Sequence, residues 1–389
     1  MMTASASTKI IVLIDSIKEG GGAEKNAIRL AEGLQKSEHD CLLATFYTFP
    51  DEYEYTGARI SFTEDPACTL LQKALKFYRR LRSINSLIKQ QQATHVIAFL
   101  EAANLSALVA QLVFRSPYKL ILSVRADPRY VNWWRRQVIR FVYRRADTVV
   151  AVSRDMQRIL EQEFGLTNVV TIPNPIDVDF VQAQMQKPMP FEYQFLNDLA
   201  ADAKVFVNVG RLTEQKGQAA LIRAFAQVHT KIKNTYLLII GEGQKRQELE
   251  QLIIELDLTN HVLLTGHQPN IYPFLRISDC FVLASLYEGF PNVLLEAAAT
   301  GLYIISTDCP TGPREIIAPD TFGQEITYPH RVSGGVLVDF NQTGNSKQMK
   351  NLYIAMLDVF DYTVTVQKAV DVTNYRLITN INSWQKVLY

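Results

Sequence analysis

Short runs of apolar, β-branched residues alternate with longer stretches of helix formers along this chain, and they do so in two series separated by a proline-rich break. No other feature restricts the fold as much. Strands that alternate with helices pair in parallel, and their right-handed crossovers put helices on both faces of the sheet. Continuous apolar runs such as Ile10-Ile-Val-Leu-Ile14 and Cys280-Phe-Val-Leu-Ala284 fit strands buried on both faces. The first series predicts strands near 9–15, 40–46, 94–100, 118–124, 147–152 and 168–172, with helices near 22–36, 69–91, 101–114, 130–145 and 154–163. Ile172-Pro-Asn-Pro-Ile-Asp177 closes that series and Lys187-Pro-Met-Pro190 reads as linker, because proline denies both helix and ladder. The second series predicts strands near 204–210, 235–241, 261–265, 279–284, 302–307 and 335–338 and helices near 217–230, 244–257, 270–277, 291–300 and 345–360. At 389 residues the chain suits two domains of ordinary size. They are expected over 1–186 and 187–374, with 375–389 left as a terminal helix.

Ser285-Leu-Tyr-Glu288-Gly289-Phe290-Pro291-Asn292-Val293-Leu-Leu-Glu296 joins a predicted buried strand to a helix-forming run. Pro291 suits the first helical turn, where a missing N–H costs nothing, so Glu288 falls in the loop and Glu296 on the helix. In an open α/β sheet, the crevice at the carboxyl ends of the strands is where ligands bind. Backbone N–H groups at a helix start favour an anion, and a Glu a turn further in can accept from ribose hydroxyls. A nucleoside diphosphate meets both demands.

Val209-Gly210-Arg211-Leu-Thr-Glu-Gln-Lys216-Gly217 leaves the first strand of the second series. Gly210 permits a sharp turn, and Arg211 and Lys216 follow just ahead of a helix, as a clamp for a diphosphate would require. Arg binds phosphate through a planar fork and Lys adds a mobile point charge. Gly20-Gly21-Gly22 opens the first helix of the first series and lacks the spacing of a dinucleotide fingerprint. Glu24 lies one turn into that helix.

Glu288-Gly-Phe-Pro-Asn-Val-Leu-Leu-Glu296 resembles the Glu-x7-Glu signature of the retaining glycosyltransferases of family 4 (group 1), and Gly210-Arg-x4-Lys-Gly resembles a second motif of that family. Further matches extend the resemblance over nearly the whole chain. It implies a GT-B fold, two Rossmann-like, doubly wound parallel-sheet domains facing across a cleft, with the terminal helix crossing back onto the first domain. The second domain would hold a nucleotide sugar. Arg211 and Lys216 would stabilise the leaving nucleoside diphosphate, Glu296 the ribose, and Glu288 with the 289–293 backbone the sugar. His267 stands where the family wraps backbone around the base. The Gly21-Gly22 loop looks like the family's Gly-Gly-x-Glu loop near the donor. Arg125 and Asp127, in Ser123-Val-Arg125-Ala-Asp127-Pro-Arg129, replace a histidine that many members carry; Asp127 is expected to act on the acceptor hydroxyl and Arg125 to pair with it or touch the donor. Gly312-Pro-Arg-Glu315-Ile316 resembles the Gly-x-x-Glu-Ile loop over the diphosphate. Asp177-Val-Asp179 has the look of a metal-binding pair, but the equivalent loop in the family binds none, so no metal and no cofactor are expected.

Composition narrows the setting. A net charge of +1 with 48% hydrophobic residues indicates a globular protein, and the nearly neutral total with no recognisable module argues against nucleic acid. Cys41, Cys68, Cys280 and Cys309 are far apart with no C-x-x-C, as expected of free thiols in a reducing compartment. No apolar run approaches the roughly 20 residues of a membrane span. The charge is unevenly placed, with 23 Lys+Arg against 17 Asp+Glu in 1–175 and 17 against 22 beyond. Tyr130 to Arg145, with Trp133 and Trp134 among arginines, suits an amphipathic helix at an anionic membrane surface, and Lys73, Lys76, Arg79, Arg80 and Arg82 make a second basic patch in 73–82. A helix packed on the sheet with a solvated outer face is the simpler reading of the same residues. The expected location is cytoplasmic, on or near the cytoplasmic face of the membrane.

The resemblance implies transfer of a hexosyl group with retention, from a UDP-sugar to a lipid-linked or polysaccharide acceptor in capsule, lipopolysaccharide or other envelope glycan synthesis. A GT-B epimerase or phosphorylase, or a non-catalytic subunit of a glycan-assembly complex, are the rival readings.

Overall fold

The computed structural model describes residues 8–62, 69–339, 346–360 and 369–389. Two compact units divide the chain, one formed by Met1–Pro175 with Leu377–Tyr389 and the other by Ile176–Arg376.

The sheet of the first unit contains β1 (Lys9–Ile14), β2 (Asp40–Thr45), β3 (Arg59–Ser61), β4 (His95–Phe99), β5 (Lys119–Val124), β6 (Thr148–Ala151) and β7 (Val169–Thr171). Every pairing is parallel, in the order β3-β2-β1-β4-β5-β6-β7. The sheet of the second unit contains β8 (Lys204–Val209), β9 (Thr235–Ile240), β10 (Val262–Gly266), β11 (Cys280–Leu283), β12 (Tyr303–Thr307), β13 (His330–Val332) and β14 (Gly335–Val338). Its order is β10-β9-β8-β11-β12-β14-β13, parallel except for the antiparallel edge strand β13. Both orders reverse direction once, between β1 and β4 and between β8 and β11. Those two gaps are the switch points at which doubly wound sheets bind ligands.

Burial follows from the apolar runs. Ile10 to Ile14 and Cys280 to Leu283 are all buried, as helices on both faces require. The Gly22–Lys36 helix packs its buried face, including Leu30, Ala31 and Leu34, into the first core. The Leu377–Leu388 helix adds Ile381, Trp384 and Leu388 to that same core. Trp384 is 1% exposed, and its ring stacks on Phe99 with centroids 6.0 Å apart.

Several elements depart from the expectations above. The first unit gives way to the second at 175/176 rather than 186/187, because an unforeseen helix, Val178–Met185, belongs to the second unit. Asp177 caps that helix, its Oδ1 accepting from the Phe180 N–H at 3.0 Å, and Gln182 donates to the Ala299 carbonyl at 2.9 Å. The terminal helix starts at Leu377, while Arg376 still pairs with Ile176 inside the second unit. The expected helix over 130–145 is interrupted: a 3-10 turn at Pro128–Tyr130 precedes the Trp133–Val142 helix, and a second turn follows at Tyr143–Arg145. Edge strands β3 and β13 were not foreseen. Cys41, Cys280 and Cys309 are free and buried, and Cys68 lies outside the described residues.

Trp384→Ala should destabilise the first unit by about 3–5 kcal/mol, the usual cost of emptying a large aromatic site. Chemical denaturation followed through near-UV circular dichroism measures it; an unchanged midpoint would show that the terminal helix contributes nothing to this core.

Candidate active site

The second unit brings its polar groups together at the switch point. Gly210, Arg211 and Lys216 follow β8, and Ser285 to Val293 follow β11, the two strands that flank the gap. The loops are stitched to each other: Leu286 N–H donates to the Gln215 carbonyl at 2.7 Å, and Gln215 Nε2 donates to the Tyr287 carbonyl at 2.8 Å. Gly217, at φ +64°, is required at this crossing, since a Cβ there would lie 2.1 Å from the Ala284 carbonyl oxygen.

Glu288 is the centre of the cluster. Its Oε1 accepts from Lys216 Nζ at 2.7 Å and from Ser285 Oγ at 2.6 Å, and its side chain is 7% exposed. Hydroxyls fix the surrounding backbone as well. Thr307 Oγ1 donates to the Ser285 carbonyl at 2.7 Å, and Thr311 Oγ1 donates to the Glu288 carbonyl. Gly312, at φ +103°, lets the 310–312 loop close on Pro291, whose Cδ would sit 2.6 Å from any Cβ placed there. Beyond the loop, Asp308 pairs with Arg314, and the Tyr328 hydroxyl donates to Asp308 Oδ2. Asp308 above all, and the Tyr328 hydroxyl to which Arg314 Nη2 donates at 2.9 Å, raise the pKa of Arg314.

Pro291 stands just before the first turn of the Asn292–Thr300 helix rather than in it, and no side chain caps that start. Glu296 is buried on this helix and accepts from the Tyr272 hydroxyl at 3.4 Å. Arg211 is exposed, and its guanidinium has no partner among the described residues. His267 is exposed just after Gly266, which ends β10. The edge therefore offers a free guanidinium, a lysine with donors to spare, two buried carboxylates and an uncapped helix start. It can hold a doubly charged anion beside a hydroxyl-rich group.

The first unit holds the remaining candidates. Gly21 precedes the Gly22–Lys36 helix in extended conformation, and the Glu24 carboxylate folds over it, so a Cβ at Gly21 would lie 1.8 Å from Glu24 Oε2. The expected Arg125–Asp127 pair does not form. Asp127 instead accepts from the N–H of Arg129 at 2.9 Å and pairs with its guanidinium at 2.7 Å, capping the turn at Pro128–Tyr130. Arg125 turns inward: Nε donates to Ser123 Oγ at 2.7 Å, Nη1 donates to Asn174 Oδ1, and the guanidinium lies 4.6 Å from the Phe99 ring centroid. Burial pushes its pKa down to about 9.

Sequence reasoning passed over Asp15, which ends the β1 run at the switch point of the first sheet. Its Oδ1 is buried without a hydrogen bond among the described residues. Desolvation raises its pKa to about 6; Arg80 opposes the shift, and Glu24 and Glu101 add to it. A lone acid closing an apolar strand was the available signal.

The comparisons agree over both units. A model described as glycosyl transferases group 1 matches residues 192–332, and one described as Glycosyltransferase Family 4 matches residues 20–180. An uncharacterised glycosyltransferase of Methanocaldococcus jannaschii is 37% identical over 276 residues, 67% of this chain and 67% of that protein. A Campylobacter jejuni protein is 30% identical over 282 residues, 70% of this chain and 73% of its own. It is named as a 4-alpha-N-acetylgalactosaminyltransferase of N-acetylgalactosamine-N,N'-diacetylbacillosaminyl-diphospho-undecaprenol. The crystal structure of Anabaena HepE with UDP and glucose superposes with a TM-score of 0.75 at 18% identity, covering 98% of this chain and 99% of that one.

Two outcomes follow from the geometry alone. In a double-mutant cycle, Lys216→Met and Glu288→Gln should couple by about 0.5–3 kcal/mol in unfolding free energy; strict additivity would show the ion pair to be silent. Asp15 holds its proton more tightly folded than unfolded, so the wild type should lose stability as pH rises from about 4 to about 6. Asp15→Asn should lack that loss and gain up to about 3 kcal/mol at pH 7. Denaturation midpoints across the pH range decide it, and parallel curves for the two proteins would refute a buried, proton-retaining Asp15.

Proposed function

Since the chain belongs to the group 1 (family 4) glycosyltransferases and carries their GT-B fold, we propose that it transfers a hexosyl group from a UDP-sugar to a lipid-linked or polysaccharide acceptor in cell-envelope glycan synthesis. The observation that carries this reading is the Lys216–Glu288–Ser285 cluster beside the uncapped start of the Asn292–Thr300 helix at the β8/β11 switch point. The diphosphate takes the free guanidinium of Arg211 and the Lys216 donors that Glu288 leaves unused. As the glycosidic bond breaks, negative charge grows on the departing phosphate oxygen, and these two cations offset it. Preorganised groups of this kind are commonly worth about 3 kcal/mol each in the transition state. Glu296 accepts from the ribose hydroxyls. Glu288, fixed by Ser285, accepts from the sugar hydroxyls with the Gly289 to Val293 backbone around it, and the backbone at His267 flanks the base.

Retention follows the family resemblance, with the acceptor oxygen attacking from the face that the diphosphate leaves, so no enzyme nucleophile is needed. No metal or cofactor enters this scheme. The first unit takes the acceptor. There Asp127 and Arg125 shape the loop after β5 through Arg129 and Asn174, and Asp15 lies at the switch point. The acceptor class draws on the Campylobacter relative, whose named substrate is a diphospho-undecaprenol glycan. The UDP and glucose named in the HepE complex support a UDP-sugar as the donor to test first.

No helix among the described residues is long and apolar enough to cross a membrane. Peripheral contact on the cytoplasmic face is supported by the Trp133–Val142 helix, where Trp133 is 75% and Phe141 56% exposed beside Arg140 and Arg144. Leu75 and Tyr78 are exposed on the second basic patch.

Calorimetric titration with UDP and GDP tests the donor assignment. The wild type should bind UDP in the micromolar range and GDP more weakly, and Arg211→Ala and Glu296→Ala should each lose about 10- to 100-fold, the worth of one charged hydrogen bond. Folded wild type that binds neither nucleotide would overturn the transferase reading. Incubation with the matching sugar nucleotide and NMR of the product then reads the anomeric configuration, and an inverted product would overturn retention.

A further inference from the structure

The carboxyl edge of the first sheet holds an acid that the fold leaves without a partner. Asp15 follows β1 at the switch point, and its Oδ1 is buried with no hydrogen bond among the described residues. Buried polar atoms are almost always partnered, so one that is not, at the place where doubly wound sheets bind ligands, marks a candidate site. The acid is kept at a cost, because desolvation is the largest effect on it and holds its proton on to about pH 6.

Three helices and a loop converge on this acid. Glu24 comes from the Gly22–Lys36 helix, Glu101 from the Leu100–Phe114 helix and Arg80 from the Leu70–Gln91 helix, each near enough for its charge to act on the carboxyl group. Phe46 and Tyr47 follow β2, and the N–H of each donates to the Asp15 carbonyl at 2.9 Å. Arg80 joins the two sides: its Nη2 donates to the Tyr47 hydroxyl at 2.8 Å, and its guanidinium lies 4.1 Å from the Phe46 ring centroid. The loop continues through Phe49, whose ring centroid is 6.5 Å from that of Tyr47. It is tied to the loop after β1, since the Tyr53 N–H donates to the Ile17 carbonyl and the Glu19 N–H to the Asp51 carbonyl, each at 2.9 Å.

These surroundings select a ligand class. With Arg80, and with Arg135 paired to Glu101 at 3.0 Å, the three carboxylates still leave the spot net negative, which disfavours a phosphate. An ionised carboxylate only accepts hydrogen bonds, so it calls for a donor such as a hydroxyl. Tyr47 and Phe49 are half-buried and offer apolar ring surface beside it. A pyranose is uncharged, rich in hydroxyls and apolar on its C–H faces, and a few placed polar groups among aromatic rings is how small ligands are commonly held.

We infer that Asp15 accepts a hydrogen bond from a hydroxyl of the acceptor sugar to be extended, an uncharged pyranose that packs on Tyr47 and Phe49. The inference rests on the glycan acceptor proposed above and names the groups that receive it. Asp15 then gains from the ligand the partner that the chain withholds, and Arg80 keeps the Tyr47 ring beside it. Recognition through one fixed hydrogen-bond acceptor discriminates against sugars that lack the matching hydroxyl more sharply than apolar contact does.

Saturation-transfer NMR on the full chain with UDP added tests this, using the methyl glycosides of glucose, galactose, mannose, N-acetylglucosamine and N-acetylgalactosamine at up to tens of millimolar. At least one should bind. Asp15→Ala should weaken it by about tenfold or more, the worth of a charged hydrogen bond, with Asp15→Asn in between. Tyr47→Ala should weaken it too, while all three variants bind UDP as the wild type does. Sugar affinity of the wild type should fall as pH drops through about 6, where Asp15 takes up its proton, a dependence that Asp15→Asn should lack. Because Asp15→Asn is expected to be the more stable protein at pH 7, its loss of sugar is not a loss of fold. A wild type that binds UDP and none of the glycosides would overturn the proposal, and so would glycoside binding that both Asp15 variants leave unchanged. Binding that survives them and disappears in Glu288→Gln gives the sugar to the donor site instead. UDP titration of the same samples keeps the two readings apart: glycoside binding through Asp15 without UDP binding condemns the donor assignment alone, and the reverse condemns this subsite alone.

Discussion

The second unit depends on matching one buried negative charge. A carboxylate as enclosed as Glu288 is costly to leave without partners, and the structure answers with Lys216 and Ser285 on the same oxygen. That requirement propagates. Lys216 reaches Glu288 only if the loops after β8 and β11 touch, which demands glycine at 217 where the Ala284 carbonyl leaves no room for a side chain. Ser285 keeps its direction only if its own carbonyl is held, and Thr307 from the neighbouring strand β12 holds it. Thr311 does the same for the Glu288 carbonyl, from a loop that closes on Pro291 because residue 312 is glycine. A set of groups arranged around one carboxylate is thus ready before any ligand arrives. Preorganisation of this kind is what makes electrostatic catalysis effective.

The strands that build both sheets were legible because parallel strands buried on both faces are unbroken apolar runs, as Ile10 to Ile14 and Cys280 to Leu283 show. Edge strands lack that signature. Arg59–Ser61 and His330–Val332 are three residues each, carry no fully buried side chain, and take their conformation from the strand beside them. The Val178–Met185 helix was hidden between two proline stretches: Ile172 to Asp177 read as the close of the first series and Lys187 to Pro190 as linker, and Asp177 had the look of a ligand pair when its work is to cap the helix. Moving that helix to the second unit moves the boundary with it.

The site was legible as residue types and loop positions, and less so as partners. Lys216 and Glu288 are 72 residues apart, and nothing in local spacing says that they share a hydrogen bond. The Arg125–Asp127 expectation failed for a related reason. Asp127 caps the turn that starts at Pro128, and that turn brings the Arg129 guanidinium onto it. Arg125 goes to Asn174, a contact 49 residues away. Asp15 was missed because its importance lies in strand order, in ending β1 where the first sheet reverses direction, and strand order is a property of the folded sheet.

Charge counting shows the same limit from another side. The excess of basic residues in the first half invites a reading in which all of them face an anionic partner. The folded chain divides them by what already faces each one. Arg125 is desolvated against Phe99 and Trp384, Arg129 is neutralised by Asp127, Arg59 by Glu52, and Arg135 by Glu101. Arg140 donates to the Glu163 carbonyl and Arg144 to the Arg140 carbonyl, contacts with neutral groups that fix the side chains without cancelling their charge. What an anion meets on this segment is therefore a short row of held but uncompensated guanidiniums, next to exposed aromatic rings. Surface attraction of that kind orients a phosphate and weakens with salt, and selectivity among phosphate-bearing lipids has to come from the apolar contacts beside it.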